Sequence, residues 1–322
     1  MSNISKLLGA VLVWICCGCG ATVVIAQDFP TKPIKYVVAD APGTTGDTVA
    51  RILAPGMSKA IGQPVVIENK TGAGNRIGFE YVAKLLPADG YTFAAVTVET
   101  LALLPVTAKV LSFDPLKDLP PLVGLGGGRL VFGTSGKSPW KTFNDLVAYA
   151  KANPGKLNYG ASAAVVRFPM EAVIGALGLS VVHIPYASAA AYTQSLIAGD
   201  IHMGFVGELP AIALGEKMQV LAVTGEQRRA PFLGVPTFVE LGLPQISDVN
   251  YSLNVRSGTP KAATDRLASA ASDALKQPEV MASFQKIGFH INVKSSEAAA
   301  IMLAERAKLF SDIAKRVGIK PE

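Results

Sequence analysis

The segment Pro42-Gly43-Thr44-Thr45-Gly46-Asp47 combines two glycines, two hydroxyl side chains and one carboxylate in six residues. It follows Ile34-Lys35-Tyr36-Val37-Val38, a β-branched and aromatic run that reads as a buried strand. It precedes Val49, Ile52, Leu53, Met57 and Ile61, whose spacing is helical and which end at Gly62. A glycine-rich turn opening a helix is suited to anions, because the first N–H groups of a helix lack partners and the helix dipole is positive there. A carboxylate could take several of these N–H groups, with the Thr44 and Thr45 hydroxyls as further donors. Asp47 stands where it could cap the helix or touch a ligand. A similar turn, Tyr159-Gly160-Ala161-Ser162-Ala163-Ala164, follows the strand-like Leu157–Tyr159. Facing each other, the two turns would grip the ends of a small organic acid; by spacing alone they fit ordinary strand-to-helix connections equally well.

Other chemistry is sparsely provided for. The three histidines, His183, His202 and His290, show no metal-ligand spacing, and each falls in or beside a predicted strand, where packing roles are commoner. There is no Gly-x-Ser-x-Gly elbow and no phosphate-binding P-loop. Gly72-Ala73-Gly74-Asn75-Arg76-Ile77-Gly78 imitates the dinucleotide fingerprint, but its third glycine is one place late and no acidic residue follows about twenty positions on. It reads as a tight turn. No pair of carboxylates is placed together by spacing, so the sequence points to no enzyme, no metal and no cofactor.

The elements that must position the turns alternate strand and helix. Strands are expected at Val65–Ile67, Tyr91–Val98, Leu130–Phe132, Leu157–Tyr159, Val181–Ile184, Ile201–Met203 and Val220–Val223. Helices fall between them, including Gly78–Leu86 and Phe143–Ala152, and this rhythm predicts doubly wound parallel sheets of the α/β class. The last third departs from it, with helices over 262–275, 278–287 and 296–317 and one strand, His290–Val293. Gly/Pro-rich punctuation near 114–128 and 256–260 brackets a middle block. That predicts one lobe from 27–128 plus 256–322 and a second from 129–255, the latter including the return crossover, with a cleft between them.

Composition bounds the rest. Half of the 322 residues are hydrophobic and 17% charged, which excludes a disordered chain, and 21 prolines exclude a long coiled coil. Residues 1–26 carry a single charge, Lys6, then an apolar run and a small-residue exit at Ala26, the pattern of a cleaved secretory signal peptide and hence a periplasmic protein. An uncleaved anchor, or a lipid on Cys19, are the other readings of that segment. All three cysteines (Cys16, Cys17, Cys19) lie in it, so the mature chain would have no disulfide or thiolate site. The net charge of +6 is spread along the chain without interleaved aromatics, and nucleic acid is not an expected partner.

Over nearly the whole mature length the sequence resembles the periplasmic substrate-binding receptors of tripartite tricarboxylate transporters, the Bug family. The resemblance rests on Phe29-Pro30-Thr31-Lys32-Pro33-Ile34, Pro42–Asp47, Gly62-Gln63-Pro64-Val65-Val66-Ile67-Glu68-Asn69 and Gly72-Ala73-Gly74. It continues in Asp89-Gly90-Tyr91-Thr92, Phe113-Asp114-Pro115-Leu116-Lys117-Asp118, Pro154-Gly155-Lys156-Leu157-Asn158-Tyr159 and Val182-His183-Ile184-Pro185-Tyr186. Further matches are Val235-Pro236-Thr237, Glu240-Leu241-Gly242-Leu243-Pro244 and Gly258-Thr259-Pro260-Lys261. It implies a two-lobed type II periplasmic binding fold that closes like a flytrap, and delivery of a small carboxylate to integral-membrane transporter subunits by a monomer. It also implies that main-chain groups and ordered waters of two turns hold the ligand, which carries over to Gly43, Thr44, Thr45, Gly46 and Asp47, and to Ala161, Ser162, Ala163 and Ala164.

The turns also depart from the family. Where its first turn reads Pro-Phe-Pro-Pro-Gly-Gly, this chain has Ala39-Asp40-Ala41-Pro42-Gly43-Thr44, and its Gly- and Ser-rich second turn is replaced by Ala163-Ala164-Val165-Val166-Arg167-Phe168. Ala187-Ser188 stands in place of a Lys-Gly pair. Arg167, at a helix start, offers a bidentate grip on a carboxylate or is a plain surface arginine. Glu99 and Glu208 follow predicted strands, where α/β sheets place ligand groups; each would hold a cationic part of a ligand or lie in solvent. Tyr186 offers a ring wall or a hydroxyl. The expected function is therefore a carboxylate receptor, with a ligand sensor signalling to a membrane kinase, or a secreted α/β hydrolase, as the alternatives.

Overall fold

A computed structural model describes residues 29–161, 164–186 and 188–318. The expected leader, Ser162, Ala163 and Ala187 lie outside the described residues. Two sets of strands organise the chain. The first is a six-stranded sheet in the order β11-β4-β10-β3-β1-β2. Its strands are β1 (Ile34–Val38), β2 (Val65–Asn69), β3 (Thr92–Thr97), β4 (Pro121–Gly128), β10 (Val249–Asn254) and β11 (Phe289–Lys294). The second joins β8 (Gly204–Gly207), β5 (Leu130–Ser135) and β9 (Met218–Val223), beside a parallel pair of β6 (Leu157–Ala161) and β7 (Val181–Pro185). A bridge between Tyr159 and Met203 connects the pair to the three strands.

The sheets are mixed, where the sequence predicts them parallel. β1, β2 and β3 run parallel, but β10 is antiparallel to both β3 and β4, and β11 to β4. The cause is the path of the chain. β4 leaves the first sheet and becomes β5 of the second after one residue, Arg129. The chain comes back only at β10, which enters the first sheet from the far end and so runs the other way.

Helices cover the first sheet on both faces, as alternate residues of its strands dictate. Ile34, Tyr36, Val38, Phe93 and Ala95 pack in one core with α1 (Thr45–Ile61), α8 (Lys261–Ala274) and α9 (Pro278–Lys286). Val37, Ala94 and Val96 face the other core, with α2 (Arg76–Glu80), α3 (Val98–Thr107) and α10 (Ser296–Val317). That second core does not stop at the sheet. It runs on through α10 to Phe132, Phe205 and Phe238 around the second sheet, and to α4 (Phe143–Ala152) and α5 (Ala164–Leu177). The Phe168 and Phe310 rings meet edge-on, 5.1 Å apart, where α5 and α10 pack. α6 (Ala189–Ala198) and α7 (Glu208–Leu214) cover the other side of the second sheet with Tyr192, Leu196 and Ala211. Among the described residues no helix is long and apolar enough to cross a membrane.

Candidate ligand-binding site

The β1–α1 turn is held from behind by an acidic residue at each end. Thr44 caps α1: its hydroxyl donates to the Ala41 carbonyl at 2.8 Å and accepts from the Asp47 N–H at 3.5 Å. The expectation that this hydroxyl is free for a ligand is thereby corrected, since its proton is committed to the loop. Asp47 is buried, and four donors converge on its carboxylate. They are the Gly43 N–H at 2.9 Å, Arg51 Nε at 2.8 Å, Arg51 Nη2 at 2.9 Å and Asn69 Nδ2 at 2.9 Å. The Arg51 bonds chiefly, with Gly43 and Asn69, pull its pKa down to about 2. Asp47 therefore organises the turn, and all its acceptor capacity faces inward; neither cap nor ligand contact describes it, because Thr44 is the cap.

Asp40 closes the other side. Asn75 Nδ2 donates to its carboxylate at 2.8 Å, and Asn69 Nδ2 to its backbone carbonyl at 3.0 Å. Asp40 lies so close to Gly46 that a Cβ there would sit 2.0 Å from its Oδ2, which is why this position takes glycine. Gly43, at φ +84°, lies in the left-handed region that glycine enters without cost. Gly72, Ala73, Gly74 and Asn75 all have positive φ, so the imitation fingerprint is a tight turn, and its Asn75 serves the neighbouring loop. What the turn leaves over is chemical capacity at the helix start. Thr45 is exposed, and the backbone N–H groups of Thr45 and Gly46 have no acceptor among the described residues.

The second turn is described at its edges. Ala161 ends β6, and its carbonyl accepts the Tyr186 N–H at 3.0 Å. α5 begins at Ala164. Tyr186 is half-buried, its ring 6.1 Å from that of Tyr192. Arg167 lies in the first turn of α5 and points along the helix towards Glu171, 3.7 Å away; its Nε is buried without a hydrogen-bond partner among the described residues, and the side chain is only partly exposed. Glu171 also accepts from the Tyr159 hydroxyl at 2.5 Å, and His183 packs on the Tyr159 ring at 4.9 Å. Burial lowers the pKa of His183 and of His202, which is tied to Asn158.

The two glutamates depart from both sequence expectations, since neither lies in solvent and both are partnered by protein. Glu99, in the first turn of α3, is buried and accepts from the Asn250 N–H at 2.9 Å, bracing the returning strand; burial raises its pKa. Glu208, at the start of α7, is also buried. Its Oε2 lies 2.7 Å from His290 Nε2 on β11, and its Oε1 3.5 Å from Arg129 Nη1. Glu208 thus joins the second sheet to the first. Arg129 and His290 escape sequence reasoning because residues 129, 208 and 290 are far apart in the chain; the one local signal is a lone charge between Gly126-Gly127-Gly128 and the apolar Leu130-Val131-Phe132. Among the described residues no cluster of His, Cys, Asp and Glu could hold a metal.

Residues 49–319 match the model of the tripartite tricarboxylate transporter family receptor. A UPF0065 protein of Cupriavidus necator is 34% identical over 299 residues, covering 91% of this chain and 90% of its own. The BugT protein of Bordetella pertussis is 26% identical, with 99% of each chain covered. Among solved structures, a periplasmic transporter protein shares 33% identity at a TM-score of 0.72, covering 91% of this chain and 99% of its own. A ligand-free solute-binding protein from Polaromonas shares 25% at 0.79, with 89% and 99% covered. An R. palustris protein solved with adipate shares 27% at 0.72, with 92% and 100% covered. The fold is that of periplasmic binding proteins, and the matched family is one of receptors, not enzymes.

Proposed function

We propose that this chain, which belongs to the tripartite tricarboxylate transporter receptor family, captures a small carboxylate between two lobes and delivers it to integral-membrane transporter subunits. The lobes are 27–128 with 249–322, and 129–248; the boundary expected at 255/256 moves back because the returning strand β10 lies inside the six-stranded sheet, between β3 and β4. Residues 1–26 act as a signal peptide that is removed on export to the periplasm, and the receptor works as a monomer. The observation that carries the reading is the start of α1, where two uncommitted N–H groups project from a turn braced by Asp40 and Asp47. Such a turn needs no reorganisation when an anion arrives, and the adipate-bound relative indicates the size of acid to try first.

Thr45 and Gly46 take one ligand carboxylate, chiefly through their main-chain N–H groups, while Gly43, whose own N–H is held by Asp47, shapes the turn; Ala161–Ala164 with Tyr186 form the opposing wall. Arg167 supports that wall through Glu171. Closure of the lobes supplies the signal a permease reads, because the ligand shifts the open–closed balance by its preference for the closed form.

Melting curves of residues 27–322 with a panel of mono- and dicarboxylates from acetate to adipate test this. At a hundred times its dissociation constant, a true ligand adds about 2.7 kcal/mol of stability. A panel in which no carboxylate shifts the melt, confirmed by calorimetry, overturns the proposal. Mass spectrometry of exported protein should show Gln27 as the first residue.

A further inference from the structure

Arg129 is a wholly buried arginine whose guanidinium is only half used. It occupies the single position between β4 and β5, at the junction of the two sheets, with a side-chain exposure of 0%. Nη1 donates to the Arg229 carbonyl at 3.1 Å and lies 3.5 Å from Glu208 Oε1. Among the described residues, Nε and Nη2 have no hydrogen-bond partner. The nearby carboxylates do not reach them and are engaged elsewhere. Asp248 is taken by the Thr224 hydroxyl at 2.5 Å and by Arg229 Nη2 at 2.8 Å, while the short bond of Glu208 goes to His290.

Nε and Nη2 form one edge of a guanidinium, the edge whose two parallel N–H groups match the two oxygens of a carboxylate. This protein makes that pairing elsewhere: Arg51 grips Asp47 through Nε at 2.8 Å and Nη2 at 2.9 Å. Two buried N–H groups of a cation left unpaired carry a desolvation cost that a bound carboxylate would remove. We propose that the Nε–Nη2 edge of Arg129 is a carboxylate subsite at the junction of the two sheets, and that it takes one carboxylate of the transported acid. The inference rests on the receptor reading and adds a direct, bidentate contact to a site otherwise built from main-chain groups. Because the Glu208–His290 contact links the sheets beside Arg129, the subsite fills from an opened molecule and is sealed when the sheets approach.

The test titrates residues 27–322 with succinate, adipate and adipamide by calorimetry, in the wild type and in Arg129→Lys and Arg129→Gln, with circular dichroism as the check on folding. The expected result is binding of a carboxylate but not of the diamide, weakened roughly 10- to 100-fold in Arg129→Gln, with Lys recovering only part because a point charge cannot make the paired contact. Equal affinity in wild type and folded variants overturns the subsite while leaving the receptor reading intact. Absence of any carboxylate binding to the wild type overturns the receptor reading itself. Where the variants do not fold, a crystal structure of the wild type with its tightest acid decides: carboxylate oxygens within about 3 Å of Nε and Nη2 support the proposal, and water or nothing at that edge overturns it.

Discussion

Asp47 shows how one residue fixes the geometry of the turn proposed to bind the ligand, with its own acceptors turned inward. Its carboxylate closes a ring from Gly43 through Arg51 to Asn69, so the loop, the helix and β2 move together. Its pKa is depressed from 3.8 to about 2, so the charged form is favoured in the folded state. The resulting stability is present above about pH 4 and is lost as pH falls through 2. Asp47→Asn should therefore cost about 2 kcal/mol at pH 7, and the gap from wild type should shrink towards pH 2. Urea midpoints at the two pH values check this. A gap that stays constant would mean that the amide, not the charge, is what the turn misses. The same variant should loosen ligand binding, because the α1 N–H groups lose their fixed direction.

At the scale of elements, α10 is the piece that ties the two sheets through apolar contact. Leu303, Phe310 and Ile313 are buried in a core that reaches from α3 to Phe168 on α5. Phe310→Ala should cost about 3–5 kcal/mol, the range for deleting a buried ring, and should lower a single cooperative melt. A second, separate transition appearing in calorimetry would mean that the two sheets unfold independently once this contact is gone. α10 was also plainly legible in the sequence, as were α1 and α4, because each carries an apolar stripe at helical spacing with a cap at one end. The strands at the junction were not. β4 reads as punctuation because Gly124, Gly126, Gly127 and Gly128 are poor strand formers; at Gly126 and Gly127 glycine is needed because neighbouring backbones come close. A Cβ on Gly126 would stand 2.0 Å from the His290 carbonyl, and one on Gly127 1.9 Å from that of Val249. β10 hides in the same way, since its Ser252 and Asn254 are buried polar residues bonded to each other at 2.6 Å, and no alternating pattern marks them. β8 begins at Gly204, past the expected Ile201–Met203, because Met203 makes only an isolated bridge to Tyr159. In the candidate site, the β1–α1 turn could be read, but the assignment of its donors could not. Those depend on Asn69 and Asn75, which only the folded chain brings to Asp47 and Asp40.

For the whole molecule, the two sheets are tied in two physically different ways, and on the two-lobe reading proposed above the difference separates stability from closure. The α5–α10 contact is mainly apolar, with Arg316 Nη2 also donating to the Glu171 carbonyl, so it stays formed and can serve as a pivot. The Glu208–His290 contact is a single polar bond at 2.7 Å with a partly exposed partner, which water can replace at small cost. Opening should therefore proceed by parting Glu208 from His290 while Phe168 and Phe310 remain packed. His290→Ala removes the polar tie alone. It should cost no more than about 1–2 kcal/mol in stability, yet shift the ligand-free molecule towards its open form and weaken ligand binding in proportion to the closed fraction lost. Small-angle scattering reads the first effect as a larger radius of gyration without ligand, returning to the wild-type value when ligand saturates the variant. If the radius is unchanged while affinity falls, His290 acts at the ligand and not on closure. If the melting temperature falls as far as for Phe310→Ala, the polar contact is a structural support of the same rank as the apolar one, and the division between pivot and latch does not hold.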